Sequence, residues 1–202
     1  MTADLHTHCW KGGEFELVST VQYGEFPYQS LECHPWYLPE SFSSLSSDFI
    51  SGAARFSAIG EIGLDRLRGP EPAVQRKYFD ALLELAESLD KPVVIHCVRC
   101  DAELFHALDG FRGRVLVHGF NGGVRKLEKY LESGYLVSFS KLHNRDVISY
   151  LRRSGLHNTG IETDDLKCSI DRIASEIASA LELPESVVNE NSVQTFKRLL
   201  AI

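Results

Sequence analysis

Histidines and carboxylates stand at the ends of apolar runs throughout this sequence. His6-Thr7-His8 closes a run that begins at Ala3, and Val93-Val94-Ile95-His96 and Val115-Leu116-Val117-His118 each finish on an imidazole. Glu61 lies between glycines in Ile59-Gly60-Glu61-Ile62-Gly63-Leu64-Asp65, and Ile161-Glu162-Thr163-Asp164 finishes a further run on carboxylates. On a strand, the i, i+2 spacing of His6 and His8 sends both imidazoles to one face, whereas a helix would part them. The glycines around Glu61 let other groups approach the backbone closely. Mixed imidazole and carboxylate donors suit a pair of divalent cations, with Zn, Mn or Fe favoured, Mg tolerated and a carboxylate able to bridge. A single such histidine is most often a hydrogen-bonded core or rim residue; four at equivalent strand ends predict a binuclear metal site.

For these groups to converge, the runs that carry them must be parallel strands whose C-terminal ends share a rim. Strand-like runs recur at Ala3–His8, Phe15–Val21, Tyr28–His34, Phe56–Ile62, Pro92–His96, Arg114–His118, Tyr135–Phe139 and Thr159–Glu162. Between them lie segments of helical periodicity. The clearest runs from Glu71 to Asp90, where Val74, Tyr78, Leu82, Leu85, Ala86 and Leu89 recur at three- and four-residue steps, and Lys91-Pro92 stops it. Ala102–Leu108, Arg125–Ser133, Asp171–Leu181 and Pro184–Leu200 show similar periodicity, and the Ser-rich stretch from Ser41 to Ser51 is interleaved with apolar residues as a short helix would be. Strands alternating with helices predict a parallel α/β fold of the TIM type, whose active sites lie at the C-terminal strand ends.

The 202 residues imply one domain, residues 1–202, and 44% hydrophobic with 24% charged residues is an ordinary globular balance. The net charge of −7 weighs against broad, charge-driven binding to nucleic acid, while leaving room for a local basic patch. No stretch resembles a signal peptide or a membrane span, so a cytoplasmic protein is expected. Five cysteines in a chain of this length do not form a disulfide framework.

Taken in order, Asp4-Leu5-His6-Thr7-His8, Cys33-His34-Pro35-Trp36, Gly60-Glu61-Ile62-Gly63-Leu64-Asp65, Pro92-Val93-Val94-Ile95-His96, His118-Gly119-Phe120-Asn121-Gly122 and Glu162-Thr163-Asp164 resemble the motifs of the TatD family of metal-dependent hydrolases. Gln75 with Phe79, Ser138-Phe139-Ser140, and Asn191 with Phe196 are smaller echoes. The resemblance implies a barrel of the amidohydrolase-like kind and deoxyribonuclease or exonuclease action on DNA ends with two divalent ions (Zn, Mg or Mn). It implies that His6, His8 and Asp164 hold one ion, that His96 and His118 hold the other, and that Glu61 bridges them. His34 would contact the substrate or the scissile phosphate, and Arg99 would contact phosphate or else pair with a rim carboxylate. The implied chemistry is hydrolysis by activated water, with Asp164 receiving its proton and His34 offsetting charge on the phosphoryl oxygens. The alternative is a hydrolase of small molecules (a lactone, an amide or a phosphate ester) on the same ions. A scaffold that binds metal without turnover fits less well, because every ligand position holds a competent residue.

The chain also departs from the family. Only Cys9 to Cys33 separates the first histidines from His34-Pro35, so a helix, or an entire βα unit, is expected to be missing. Seven or eight strands would remain in a distorted barrel, with Glu14–Gly24 as a strand or hairpin on a thinly covered side that would suit a homodimer. Asp165-Leu166 and Lys141 stand where the family has other residues, which touches substrate choice more than metal ligation. Glu162 is expected to orient a ligand histidine. Cys97-x-x-Cys100 has the spacing of a redox pair or half a zinc site, but no second pair answers it, so Cys9, Cys33, Cys97 and Cys100 are expected to be small core residues, His106, His143 and His157 surface residues, and Trp36 and Tyr37 either rim packing or a stacking platform for a base.

Overall fold

A computed structural model describes all residues from 1 to 202. In chain order the elements are β1 (Ala3–Thr7), β2 (Phe15–Thr20), β3 (Tyr28–Leu31), a single 3-10 turn (Pro35–Tyr37), α1 (Ser47–Ala53), β4 (Ala58–Asp65), α2 (Pro72–Ser88), β5 (Val93–Val98), α3 (Asp101–Ala107), β6 (Val115–Val117), α4 (Val124–Glu132), β7 (Leu136–Phe139), α5 (Arg145–Ser154), β8 (Thr159–Ile161), α6 (Ile170–Leu181) and α7 (Glu185–Leu200). The eight strands form one sheet in sequential order, and β1 meets β8 through a parallel bridge between Thr7 and Asp164. This is the parallel α/β barrel expected from the sequence, with all eight strands present.

The expected loss near the N-terminus is therefore a loss of helices and not of strands. Neither β1 nor β2 is followed by a helix, since only residues 8–14 and 21–27 connect them onward. Phe15–Thr20 is a strand parallel to β1, with Ala3 opposite Phe15 and Thr7 opposite Val18, and so it is not half of a hairpin. The Ser-rich stretch is helical only from Ser47, where the Ser46 side chain accepts from the Phe49 N–H and caps α1. Helix α5 has no counterpart among the expected helices; Asn144 caps it by accepting from the N–H groups of Asp146 and Val147. None of the helices is long and apolar enough to cross a membrane.

The chain divides into two compact units, one of residues 1–18, 26–28 and 116–202 and the other of residues 19–25 and 29–115. In the first, Phe196 and Leu199 of α7 are fully buried, and Ser192 accepts from the Ala3 N–H, tying α7 to the start of β1. Gly160 of β8 has no room for a side chain, because a Cβ there would lie 2.7 Å from Leu5. In the second unit, α2 begins at Pro72, whose fixed φ suits the first helical position, and buries Tyr78, Phe79, Leu82 and Leu83. There β4 pairs with β5 in a register that sets Gly63 opposite His96 and Asp65 opposite Val98, with an irregularity between Ile59 and Ile62 that falls at Glu61.

Candidate metal centre

In the first unit the donors come from the ends of β1, β6 and β8. The backbone pins them: the Asp164 N–H donates to the His6 carbonyl at 2.9 Å, and the His8 N–H donates to the Asp164 carbonyl at 3.2 Å. Asp164 takes a left-handed conformation, φ 51, one that aspartate tolerates better than most residues. Its Oδ1 consequently stands 3.8 Å from His6 Nε2 and 3.7 Å from His8 Nε2. These distances are too long for hydrogen bonds. They fit two donors of one small cation, since ligands about 2.0–2.2 Å from a tetrahedral ion stand roughly 3.4 Å apart. His118 stands beside this set, with one ligand atom from each of His6, His118 and Asp164 within 4.8 Å of the others.

Glu162 is fully buried behind these donors and accepts from the Gly119 N–H at 2.8 Å and from the Ser138 hydroxyl. Its Oε1 lies 3.5 Å from His118 Nδ1. Burial alone would raise its pKa, but the imidazoles of His118 and His6 and the hydroxyl of Ser138 hold it below the usual carboxylate range. A carboxylate on the Nδ1 side of an imidazole is a common way of orienting ligand histidines.

A third layer was not foreseen. Lys11 Nζ donates to Thr163 Oγ1 at 2.7 Å, to Thr7 Oγ1 at 2.9 Å and to the Cys9 carbonyl at 3.1 Å. Thr163 in turn donates from both its N–H and its hydroxyl to the buried carboxylate of Asp4. Burial pushes the pKa of Asp4 up to about 7, against the pull of Thr163 and of the Lys11 ammonium 4.0 Å away. Glu16 fixes the rest of that short loop by accepting from the N–H groups of Lys11 and Gly13.

In the second unit the clustered side chains come from β4, β5 and the turn after β3. His34 Nε2 lies 3.0 Å and His96 Nδ1 2.7 Å from the same Glu61 oxygen. His34 Nδ1 accepts from the Trp36 N–H, so the proton of the neutral ring sits on Nε2. Asp65, to which no role was assigned from the sequence, accepts from His96 Nε2 at 3.1 Å and from Trp36 Nε1 at 2.5 Å. The signal was available: Glu61 and Asp65 are four apart on one strand and therefore share a face. Burial opposes the charge of Asp65, yet the Trp36 indole, the Leu67 N–H and His96 hold its pKa low. Gln75 of α2 braces the loop after β4 by accepting from the Asp65 N–H and donating to backbone carbonyls there.

Trp36 is thus packed on the rim, with the Arg68 guanidinium 4.2 Å above its ring, while Tyr37 is exposed. Arg99 is exposed, as are His106, His143 and His157. Cys100 is buried as expected, but Cys9 is exposed, because the short β1–β2 loop has no helix to cover it.

The sequence profile described as TatD related DNase matches residues 14–201. The chain belongs to the TatD family. His6 and His8 precede the matched segment, but they head the same donor set as Asp164 within it. This TatD member is 33% identical over 153 residues to the "Uncharacterized metal-dependent hydrolase YjjV" of Escherichia coli, covering 68% of this chain and 57% of that protein. It is 38% identical over 143 residues to the "3'-5' ssDNA/RNA exonuclease TatD" of Citrobacter rodentium, covering 68% of this chain and 48% of that protein. The matched segments thus span 57% and 48% of these relatives' own lengths. The crystal structure of YjjV, a TatD homologue from Escherichia coli, aligns with a TM-score of 0.71 at 24% identity over 87% of this chain and 77% of that one, which shows the shared fold.

Proposed function

We propose that this TatD-family chain is a metal-dependent phosphodiesterase acting on nucleic-acid ends. The observation that carries the proposal is the placement of one Asp164 oxygen at cation-sharing distance from both His6 and His8. In this proposal His6, His8 and Asp164 would hold one divalent ion, His96 and His118 would hold a second, Glu61 would serve both, and residues 1–202 would act as one catalytic domain. Zn, Mg and Mn all suit such a donor set. The names of relatives support nucleic acid as the substrate class: one is called a 3'-5' ssDNA/RNA exonuclease and another a 3'-5' RNA nuclease. The proposal also keeps a cytoplasmic protein that pairs with a second copy over the helix-free connections after β1 and β2.

Bound divalent ions supply Lewis acidity, lowering the pKa of water and offsetting charge on phosphoryl oxygens. The chain supplies the rest. Asp164, partly exposed beside His6 and His8, accepts the proton of the attacking water. His34, its tautomer fixed by the Trp36 N–H and its Nε2–H directed at Glu61 3.0 Å away, would offset charge on a phosphoryl oxygen once Glu61 turns toward the ions. Glu162 holds the imidazole of His118 in orientation. Arg99, exposed on the turn after β5, is free to meet a phosphate.

Metal-stripped protein, reloaded separately with Mg, Mn and Zn, tests this against end-labelled single-stranded DNA, a chromogenic phosphodiester and a panel of lactones. Metal-dependent shortening of the DNA that disappears in Glu61→Ala is the expected result. Turnover of lactones or simple esters alone would replace it with a small-molecule hydrolase, and metal uptake without any turnover would reject an enzyme.

A further inference from the structure

Cys97 and Cys100 take no part in the chemistry above, yet they form a site of their own. Cys97 lies in β5, one residue past His96, and Cys100 immediately precedes α3. Neither is in a disulfide, and their Sγ atoms are 3.4 Å apart. A sulfur–sulfur bond is about 2.05 Å long, so closing it requires a shift of about 1.4 Å. Arg99, between them, has φ 57, a left-handed conformation that folds the chain back and brings the second thiol to the first. The bend that a four-residue disulfide loop needs is thus already present in the dithiol form.

The two thiols differ in access. Cys97 is partly exposed, whereas Cys100 is buried with its Sγ 2.9 Å from the Leu64 carbonyl oxygen. Accessibility therefore assigns first attack to Cys97 and resolution to Cys100. We propose that Cys97 and Cys100 form a reversible dithiol–disulfide pair, oxidised by low-molecular-weight disulfides of the glutathione class. The Cys97 thiolate attacks one sulfur of glutathione disulfide and forms a mixed disulfide, releasing one glutathione thiolate, which takes up a proton. Cys100, giving up its proton to solvent, then attacks Cys97 Sγ, forming the Cys97–Cys100 bond and releasing the second glutathione. Protein dithiol and glutathione disulfide become protein disulfide and two glutathione thiols, with two electrons moved.

The move has a defined direction. Gly63 packs against the His96 backbone so closely that a Cβ on it would lie 2.0 Å from the His96 carbonyl oxygen, so this end of β5 has no room to yield toward β4. The closure falls on Arg99 and the first turn of α3. Arg99 is a proposed phosphate contact, so the oxidised form carries its guanidinium on a tighter loop.

Full-length protein equilibrated with glutathione at graded ratios of reduced to oxidised form, quenched in acid, alkylated and mapped by mass spectrometry tests the pair. The expected result is a peptide joined between Cys97 and Cys100, lighter by two hydrogens, that appears over a defined range of ratios and disappears on reduction. Cys100→Ser should instead accumulate glutathione on Cys97, and Cys97→Ser should form no internal bond. Should Cys97 and Cys100 remain alkylatable in wild-type protein at every ratio, or should wild-type Cys97 retain glutathione as a stable mixed disulfide, the proposal is overturned. The wild-type measurement decides it even if a variant fails to fold, and it does not depend on the proposed nuclease activity.

Discussion

Gly63 and His96 face each other across the β4–β5 pair so closely that no side chain fits between them. Gly63 has φ 147, and a Cβ built on it would come within 2.0 Å of the His96 carbonyl oxygen, which is backbone and cannot rotate aside. Gly63→Ala must therefore displace the strand that carries His96. The expected cost is at least about 2 kcal/mol, from backbone strain and overpacking together. Thermal unfolding measures it, with Gly52→Ala as the control: a Cβ at Gly52 in α1 meets nothing within 4 Å, so that change should leave stability equal or raise it by up to about 1 kcal/mol. Equal melting temperatures for Gly63→Ala and wild type would contradict the packing described.

Glu162 separates metal affinity from folding. It is buried, charged and close to His118, and Glu162→Gln keeps its shape and an acceptor oxygen for the Gly119 N–H, with the new amide NH2 donating to the Ser138 hydroxyl, while removing the charge. Loss of a carboxylate that orients a ligand imidazole typically lowers metal affinity about 10–100-fold. Competition with a chromogenic chelator, read in wild type and variant, should show that loss. Unchanged affinity would detach Glu162 from the metal centre.

How far the sequence disclosed this arrangement follows from where the information sits. The strand ends were legible because several apolar runs stop at a polar residue, and the donor residues were legible because imidazoles and carboxylates recur at those stops. The missing helices were legible as a simple shortage of residues before His34. Helix α5 was not, since its buried residues, Val147 and Leu151, sit among charged neighbours and the cap at Asn144 resembles any loop asparagine. Lys11 was not legible either, because Thr163 lies 152 positions away and only the closing of β1 on β8 brings them together. Burial of Cys9 was expected from its neighbour His8, but burial depends on the covering element, and the loop after β1 provides none.

Cys33 and Cys9 should differ sharply in reactivity. Burial, with Glu32 adjacent, pushes the Cys33 thiol up to about 11, while Cys9 is exposed. At pH 8 roughly one Cys33 in a thousand is then thiolate, and the thiolate is the form that alkylates. Iodoacetamide at pH 8 should modify Cys9 in the native protein and spare Cys33 until the pH approaches 11, as peptide mapping would show. The sign for stability follows: the folded thiol holds its proton more tightly than the unfolded one, near 9.0, so this contribution is complete below pH 9 and is lost as pH rises through about 11. Equal labelling of the two cysteines at pH 8 would contradict the burial of Cys33.

Lys11 substitutes for a missing helix by tying the β1–β2 loop to the far end of the chain. Its ammonium donates to Thr7, Thr163 and the Cys9 carbonyl, and it is the cation nearest the buried carboxylate of Asp4. Lys11→Met keeps the length of the stem and removes all three donors, leaving the partly buried oxygens of Thr7 and Thr163 without this partner. Leaving such groups unsatisfied costs about 1–3 kcal/mol, and a lower midpoint of urea unfolding at unchanged slope should record it. Because Thr163 immediately precedes Asp164, the same variant should also weaken metal binding, whereas Lys197→Met, on α7 over the Phe15 ring, should leave metal affinity unaltered. A Lys11→Met protein with wild-type midpoint and wild-type metal affinity would show that the loop is held by Glu16 alone.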